Sequence, residues 1–108
     1  DIFAFGSIKH GRDTITDFGN DDAIRITAKN FGGGLSSGVA LQTSEASTGV
    51  LVTGTNPLSL GQSATFLYNT QTQTLSFDQD GVGNQYSAIE IAQLTGVSSL
   101  SVNQIQIM

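Results

Sequence analysis

Apolar and polar residues alternate in short runs along this chain, and Gly, Asn and Asp separate the runs. Ile24 and Ile26 flank Arg25, Leu75 and Phe77 flank Ser76, and Ile89 and Ile91 flank Glu90. A period of two puts one set of side chains on one face, which predicts half-buried strands packed in two layers. Strands are expected at residues 2–5, 23–27, 39–42, 49–53, 64–68, 74–77, 86–93 and 104–107.

Helix signals are weak. The 13 glycines punctuate the chain, and β-branched residues dominate its apolar runs. One short helical turn is expected over residues 98–102, with Ser98 or Ser99 as its cap. Residues 69–73 read as a hairpin connection, although they lack the Asn-Gly or Asp-Gly pair of a tight primed turn. Gly32-Gly33-Gly34 must be loop. The stretch 35–61 is apolar without clean periodicity and is the least readable part. The pattern predicts an all-β fold with little or no helix.

At 108 residues the chain fits a single domain with a modest core. It opens on Asp1 rather than Met, which reads as a processed product or a piece of a longer protein. Charged residues make up only 12%, about half the share usual in soluble domains, so Ser, Thr, Asn and Gln must supply the polar surface. Nine acidic groups against four basic ones give a net charge of −5. Such a surface repels phosphate backbones, and no Lys/Arg cluster is present to dock on an anionic membrane. No nucleic-acid partner and no membrane span are therefore expected. Cysteine is absent, so a domain of this size needs another staple or a well-packed core; a metal ion is one such staple.

Two acidic stretches carry the candidate chemistry. In the first, Asp13, Asp17, Asp21 and Asp22 fall close together with Asn20 among them. Asp13 and Asp17 bracket Ile15, which is expected to point into the core. In an extended segment the two carboxylates lie on one face, roughly 13 Å apart, too far to share an ion without a bend. Calcium takes six to eight oxygens, and this stretch offers only some of them. An ordinary turn with Asx hydrogen bonds is the competing reading of residues 19–22. The second stretch is Asp78-Gln79-Asp80-Gly81-Val82-Gly83-Asn84. Two carboxylates two residues apart, followed by glycines, suit a tight loop that turns oxygens inward. It is not an EF-hand, because the third acidic position is Gly and Ile89 stands where the bidentate Glu belongs. A non-helical calcium loop and a hairpin turn with solvated aspartates both remain open for it.

Catalysis finds little support. His10 is the lone histidine and sits in a polar stretch, where a solvent-exposed side chain is the plainer reading. Sites built on Cys or several His are excluded. Carboxylate pairs for glycoside hydrolysis lack an aromatic sugar platform, since Trp is absent and Tyr numbers two. Gly32-Gly33-Gly34 lacks the Lys and helix start of a phosphate cradle. The chain is expected not to be an enzyme.

The order of these pieces resembles the C-terminal region of RTX, or hemolysin-type calcium-binding, exported bacterial proteins, including the serralysin proteases. Asp1-Ile2-Phe3-Ala4 looks like the end of a glycine-rich nonapeptide repeat. Asp13-Thr14-Ile15-Thr16-Asp17-Phe18, Asn20-Asp21-Asp22 and Ile24-Arg25-Ile26 follow in the family's order. So do Leu67-Tyr68-Asn69, Leu75-Ser76-Phe77-Asp78-Gln79-Asp80-Gly81, Ile89-Glu90-Ile91 and Leu94-Thr95-Gly96. The glycine-rich half of the repeats is missing, and the chain ends on Ile107-Met108 where family end pieces often finish in Asp-Phe plus apolar residues.

The resemblance implies a parallel β-roll edge continuing into an antiparallel β-sandwich-like cap. It implies Ca²⁺ as cofactor, with Asp1, Asp13 and Asp17 closing the final sites and Asp78 and Asp80 a separate candidate. The upstream repeats of the parent chain would be the partner, type I secretion the route, and the cell exterior or bacterial surface the location. A rival reading from another class is a self-assembling surface-layer, fibre or adhesin subunit whose exposed strand edges build a homo-oligomer or filament.

Overall fold

A computed structural model describes residues 2–6, 12–19, 21–43, 48–59, 61–81 and 88–108 of the protein. It is an all-β fold of eight strands among these residues: β1 (Ile2–Phe5), β2 (Asp13–Ile15), β3 (Ala23–Ile26), β4 (Val50–Gly54), β5 (Thr65–Asn69), β6 (Thr74–Asp78), β7 (Ile89–Leu94) and β8 (Ile105–Ile107). A single helical turn, α1 (Ala28–Phe31), follows β3.

The strands form two sheets. One is parallel throughout, in the order β1-β3-β8, and the other is mixed, in the order β2-β7-β6-β5-β4. Register explains the core of the first. Phe3 pairs with Ile24 and Ile24 with Ile105, while Phe5 pairs with Ile26 and Ile26 with Ile107. Two apolar rows thus cross its inner face, and the buried Ile24, Ile26, Ile105 and Ile107 join one core with Leu75, Ala92 and Leu94 of the other sheet. In the second sheet the hairpin β5–β6 sets Phe66 against Phe77 and Tyr68 against Leu75. Leu75 lies opposite Ala92, and the register shifts beside it so that Ser76 meets Glu90. Ile91 is the extra residue of this bulge, and it is buried.

The parallel sheet is too narrow to cover its wider partner. α1 makes up part of the difference: Ala28 and Phe31, three residues apart on one helical face, are both buried. Phe31 packs edge-on against Phe77 with ring centroids 5.2 Å apart and also lies against Phe66, while Phe66 and Phe77 sit 4.8 Å apart. Buried aromatic packing of this kind dominates core energetics. Tyr68 adds a polar tie, its buried hydroxyl donating to the Val97 carbonyl at 2.6 Å.

Several expectations need correction. The cap is not purely antiparallel, because β2 pairs with β7 and β4 with β5 in parallel. With one sheet parallel and the other mixed, the described strands do not build a continuous roll. Residues 39–42 form no strand; Gln42 makes only an isolated bridge to Val50. The helical turn falls later than expected, as a 3₁₀ turn at Val102–Gln104 capped by Ser101, whose hydroxyl accepts from Asn103 N while Gln104 reaches back to Ser101 N. Neither α1 nor β2 was expected as an element. The hairpin at 69–73 does form, with the Asn69 side chain accepting from the amides of Gln71 and Thr72 and Gln73 taking φ 59°.

Candidate metal centre

The fold sends the two acidic stretches to different places. Asp13 opens β2, the edge strand of the mixed sheet, and alternation puts it on the face of the buried Ile15, yet Asp13 itself is exposed. Asp17 is exposed just beyond the strand end. Asp13 lies opposite Ala92, and Ala92 opposite Leu75, so the first stretch is two strands away from β6. Leu75 is three residues from Asp78, which separates Asp13 from Asp78 by roughly 10 Å across the sheet and about 10 Å along it. The two groups do not converge. Asp1 and His10 lie outside the described residues.

Asp21 and Asp22 belong to a turn. Asp22 N donates to Gly19 O at 3.1 Å, and Gly19 N donates back to Asp22 Oδ2 at 2.9 Å. Gln104 Nε2 clasps the turn from outside, donating to Gly19 O at 3.0 Å. A turn held by an aspartate hydrogen bond does form at this position, with the Asp22 carboxylate reaching back to Gly19 rather than forward along the chain.

The second stretch differs. Phe77 faces the core, so its neighbour Asp78 faces outward from the sheet, yet Asp78 retains only 9% exposure. Ser59 covers it, donating its hydroxyl to Asp78 Oδ2 at 3.3 Å. The other oxygen, Oδ1, is shut off from solvent and meets no hydrogen-bond donor among the described residues. Burial first, and the adjacent Asp80 carboxyl second, push the Asp78 carboxyl above its ordinary 3.8. No basic side chain is among the groups acting on it.

Backbone carbonyls crowd the same turn. Gly81 has φ +60°, and a Cβ there would stand 2.4 Å from Gly61 O and 3.0 Å from Ser63 O. Gly33, at φ +72°, leaves no room for a Cβ beside Gln79 O, and its own carbonyl accepts from Ala64 N at 2.7 Å. Three chain segments therefore meet at this turn with only glycines thin enough to allow it. The aspartates and Gly81 were legible in the sequence. Ser59 and the 61–63 carbonyls were not, because they lie in the stretch without periodicity and approach only through folding.

Elsewhere, Arg12 Nη1 pairs with Glu90 Oε1 at 3.2 Å on the exposed side of β2 and β7. Two surface grooves, of about 300 Å³ beside β8 and about 350 Å³ between β4 and residues 100–102, have no acidic, basic or histidine side chain in their lining. Among the described residues, no three His, Asp or Glu side chains gather as a metal cluster, and no helix is long and apolar enough to cross a membrane. Compared with known proteins, the chain matches no family model, no curated protein and no solved structure.

Proposed function

We propose that this chain is a calcium-dependent structural module, the end piece of an exported RTX-type protein, that caps the protein's stack of repeats outside the cell and carries no catalytic activity of its own. The winding of its first three strands carries this reading. β1 lies in one sheet, β2 in the other, and β3 returns to the first sheet parallel to β1, with Ile2 paired to Ala23. A chain that passes from one sheet to the other and returns in the same direction is what a stack of repeats ending here would require. β1 and β2 are each the outermost strand of their sheet, so preceding coils have an edge to continue from in both layers.

Calcium enters through the charge at that edge. Asp13 is an inward-side charge on an open edge strand, a placement that opposes pairing with a further strand. Asp17, exposed just beyond the end of the same strand, adds a second negative charge to this edge. A hard divalent ion shared between these carboxylates and the carbonyls of a preceding turn removes the repulsion and couples stacking to the calcium-rich exterior. Asp1 joins this set by the resemblance alone. Scanning calorimetry with Ca²⁺ and with chelator tests the reading: calcium should raise the melting temperature, and an unchanged value in both conditions refutes it.

The assembly reading is favoured by one observation, the exposure of Ile2 at 50% on the open edge of β1. A second copy pairing there would form ordered polymers, visible by size exclusion and electron microscopy. A monomer at all concentrations would remove it.

A further inference from the structure

We infer that the outer face of the mixed sheet carries a small binding site for one neutral sugar ring, formed by β5, β6 and β7 with Asn56 and Pro57 beside them. The inference rests on neither the capping reading nor the assembly reading.

Strand register builds the site. On the face turned away from the core, Val52, Leu67, Ser76 and Glu90 form one row, and Gly54, Asn69, Thr74 and Gln93 form the next. Ser76 meets Glu90 only because the register shifts beside Leu75, and bulges that re-aim side chains in this way are common next to functional sites. Asn56 and Pro57 join Leu67, Asn69, Ser76 and Glu90 in lining a cavity of about 170 Å³. Drug-sized ligands occupy roughly 300–1,000 Å³, so this space suits a single ring.

The polar atoms at the cavity have capacity to spare. Asn69 Oδ1 accepts from Gln71 N at 2.9 Å and Thr72 N at 3.0 Å, which fixes the side chain and leaves Nδ2 as its free end, a donor without a protein acceptor among the described residues. The half-buried Ser76 hydroxyl and the exposed Asn56 side chain have no hydrogen-bond partner among the described residues. Glu90 Oε1 pairs with Arg12 Nη1 at 3.2 Å, and Oε2 is left as an acceptor.

Charge then selects the ligand. Glu90 is the one charged group lining the cavity among the described residues, and Arg12 neutralises it. An anion would meet a carboxylate with no free cation beside it, and a cation would have to displace Arg12. A neutral, hydroxyl-rich ligand meets neither penalty. Leu67 and Pro57, both half-buried, set apolar surface among the donors and acceptors. A sugar ring has the matching mix, with C–H groups on its faces and hydroxyls around its edge. Hydrolysis needs a pair of carboxylates, so a cavity with one, held by arginine, binds without cleaving. A dozen ligand atoms at ordinary ligand efficiency, with no aromatic ring beneath them, place the dissociation constant on the order of 1–10 mM.

Titration of the ¹⁵N-labelled chain with the methyl glycosides of glucose, galactose and mannose, each to about 50 mM, tests the site by NMR. At least one should saturably shift the Asn69 side-chain amide and the backbone amides of Ser76 and Glu90, and glycerol at the same concentration should not. Ser76→Ala removes a hydroxyl from the surface, and Asn69→Asp keeps the oxygen that holds the turn while removing the Nδ2 donor. Each should weaken binding by about 3- to 10-fold, the worth of one hydrogen bond. The proposal is overturned by a wild type that no glycoside shifts saturably, by an equal response to glycerol, or by wild-type affinity in both variants.

Discussion

Replacing Gly81 by alanine probes the packing on which the candidate site depends. Two costs add. The residue holds φ +60°, where a side chain costs roughly 1–2 kcal/mol. Its Cβ would also enter to 2.4 Å of Gly61 O and 3.0 Å of Ser63 O, backbone atoms that cannot rotate away. Forcing atoms into a filled space costs typically 1–3 kcal/mol more. Gly38 supplies the control, because it has φ +81° but nothing within 4 Å of its would-be Cβ. Urea denaturation should therefore show Gly38→Ala losing about 1–2 kcal/mol and Gly81→Ala about 2–5 kcal/mol, with unchanged m-values. The difference between the two isolates the steric contribution from the φ contribution. Equal losses would refute the reasoning: the 61–63 carbonyls would not then lie against the turn.

Three further outcomes are expected. Tyr68→Phe leaves the Val97 carbonyl without its buried donor and should cost about 1–3 kcal/mol by chemical denaturation, and a neutral result would argue against that bond. Phe31→Ala removes the ring that α1 lays over Phe66 and Phe77 and should cost about 3–5 kcal/mol, whereas a loss under 1 kcal/mol would mean α1 does not close the core. The Asp78 carboxyl, raised above 3.8 by burial and by Asp80, gives a signed pH dependence in metal-free buffer. Its contribution is fully present below pH 3.8 and is lost as the pH rises through the raised folded value. The stability gap between Asp78→Asn and wild type should accordingly widen in favour of Asn from about pH 4 upward, and a gap that does not change with pH would contradict the shift.

The strand plan was largely legible because period-2 alternation reports burial directly. Ile24 and Ile26, Leu75 and Phe77, and Ile105 and Ile107 each announce the face that the sheet turns inward. What alternation cannot report is which strands pair. The parallel contact of β2 with β7 joins segments far apart in the chain, and β4 pairs in parallel with β5, the very next strand, where nothing local distinguishes it from the hairpin that neighbours usually form. α1 escaped notice for a related reason: one turn ending at a glycine has too few positions to show a 3.6-residue period, and Phe31 reads as helical only once Phe66 and Phe77 are beneath it.

For the candidate site, the sequence by itself determined the chemistry on offer: two carboxylates two residues apart, then a glycine able to take positive φ. Only the tertiary structure decided their surroundings. It exposed Asp13 and Asp17 on an open edge and enclosed Asp78 beneath Ser59 with one oxygen unmatched. The physical reason is that a carboxylate's type is local, whereas its solvation depends on which distant segment folds over it.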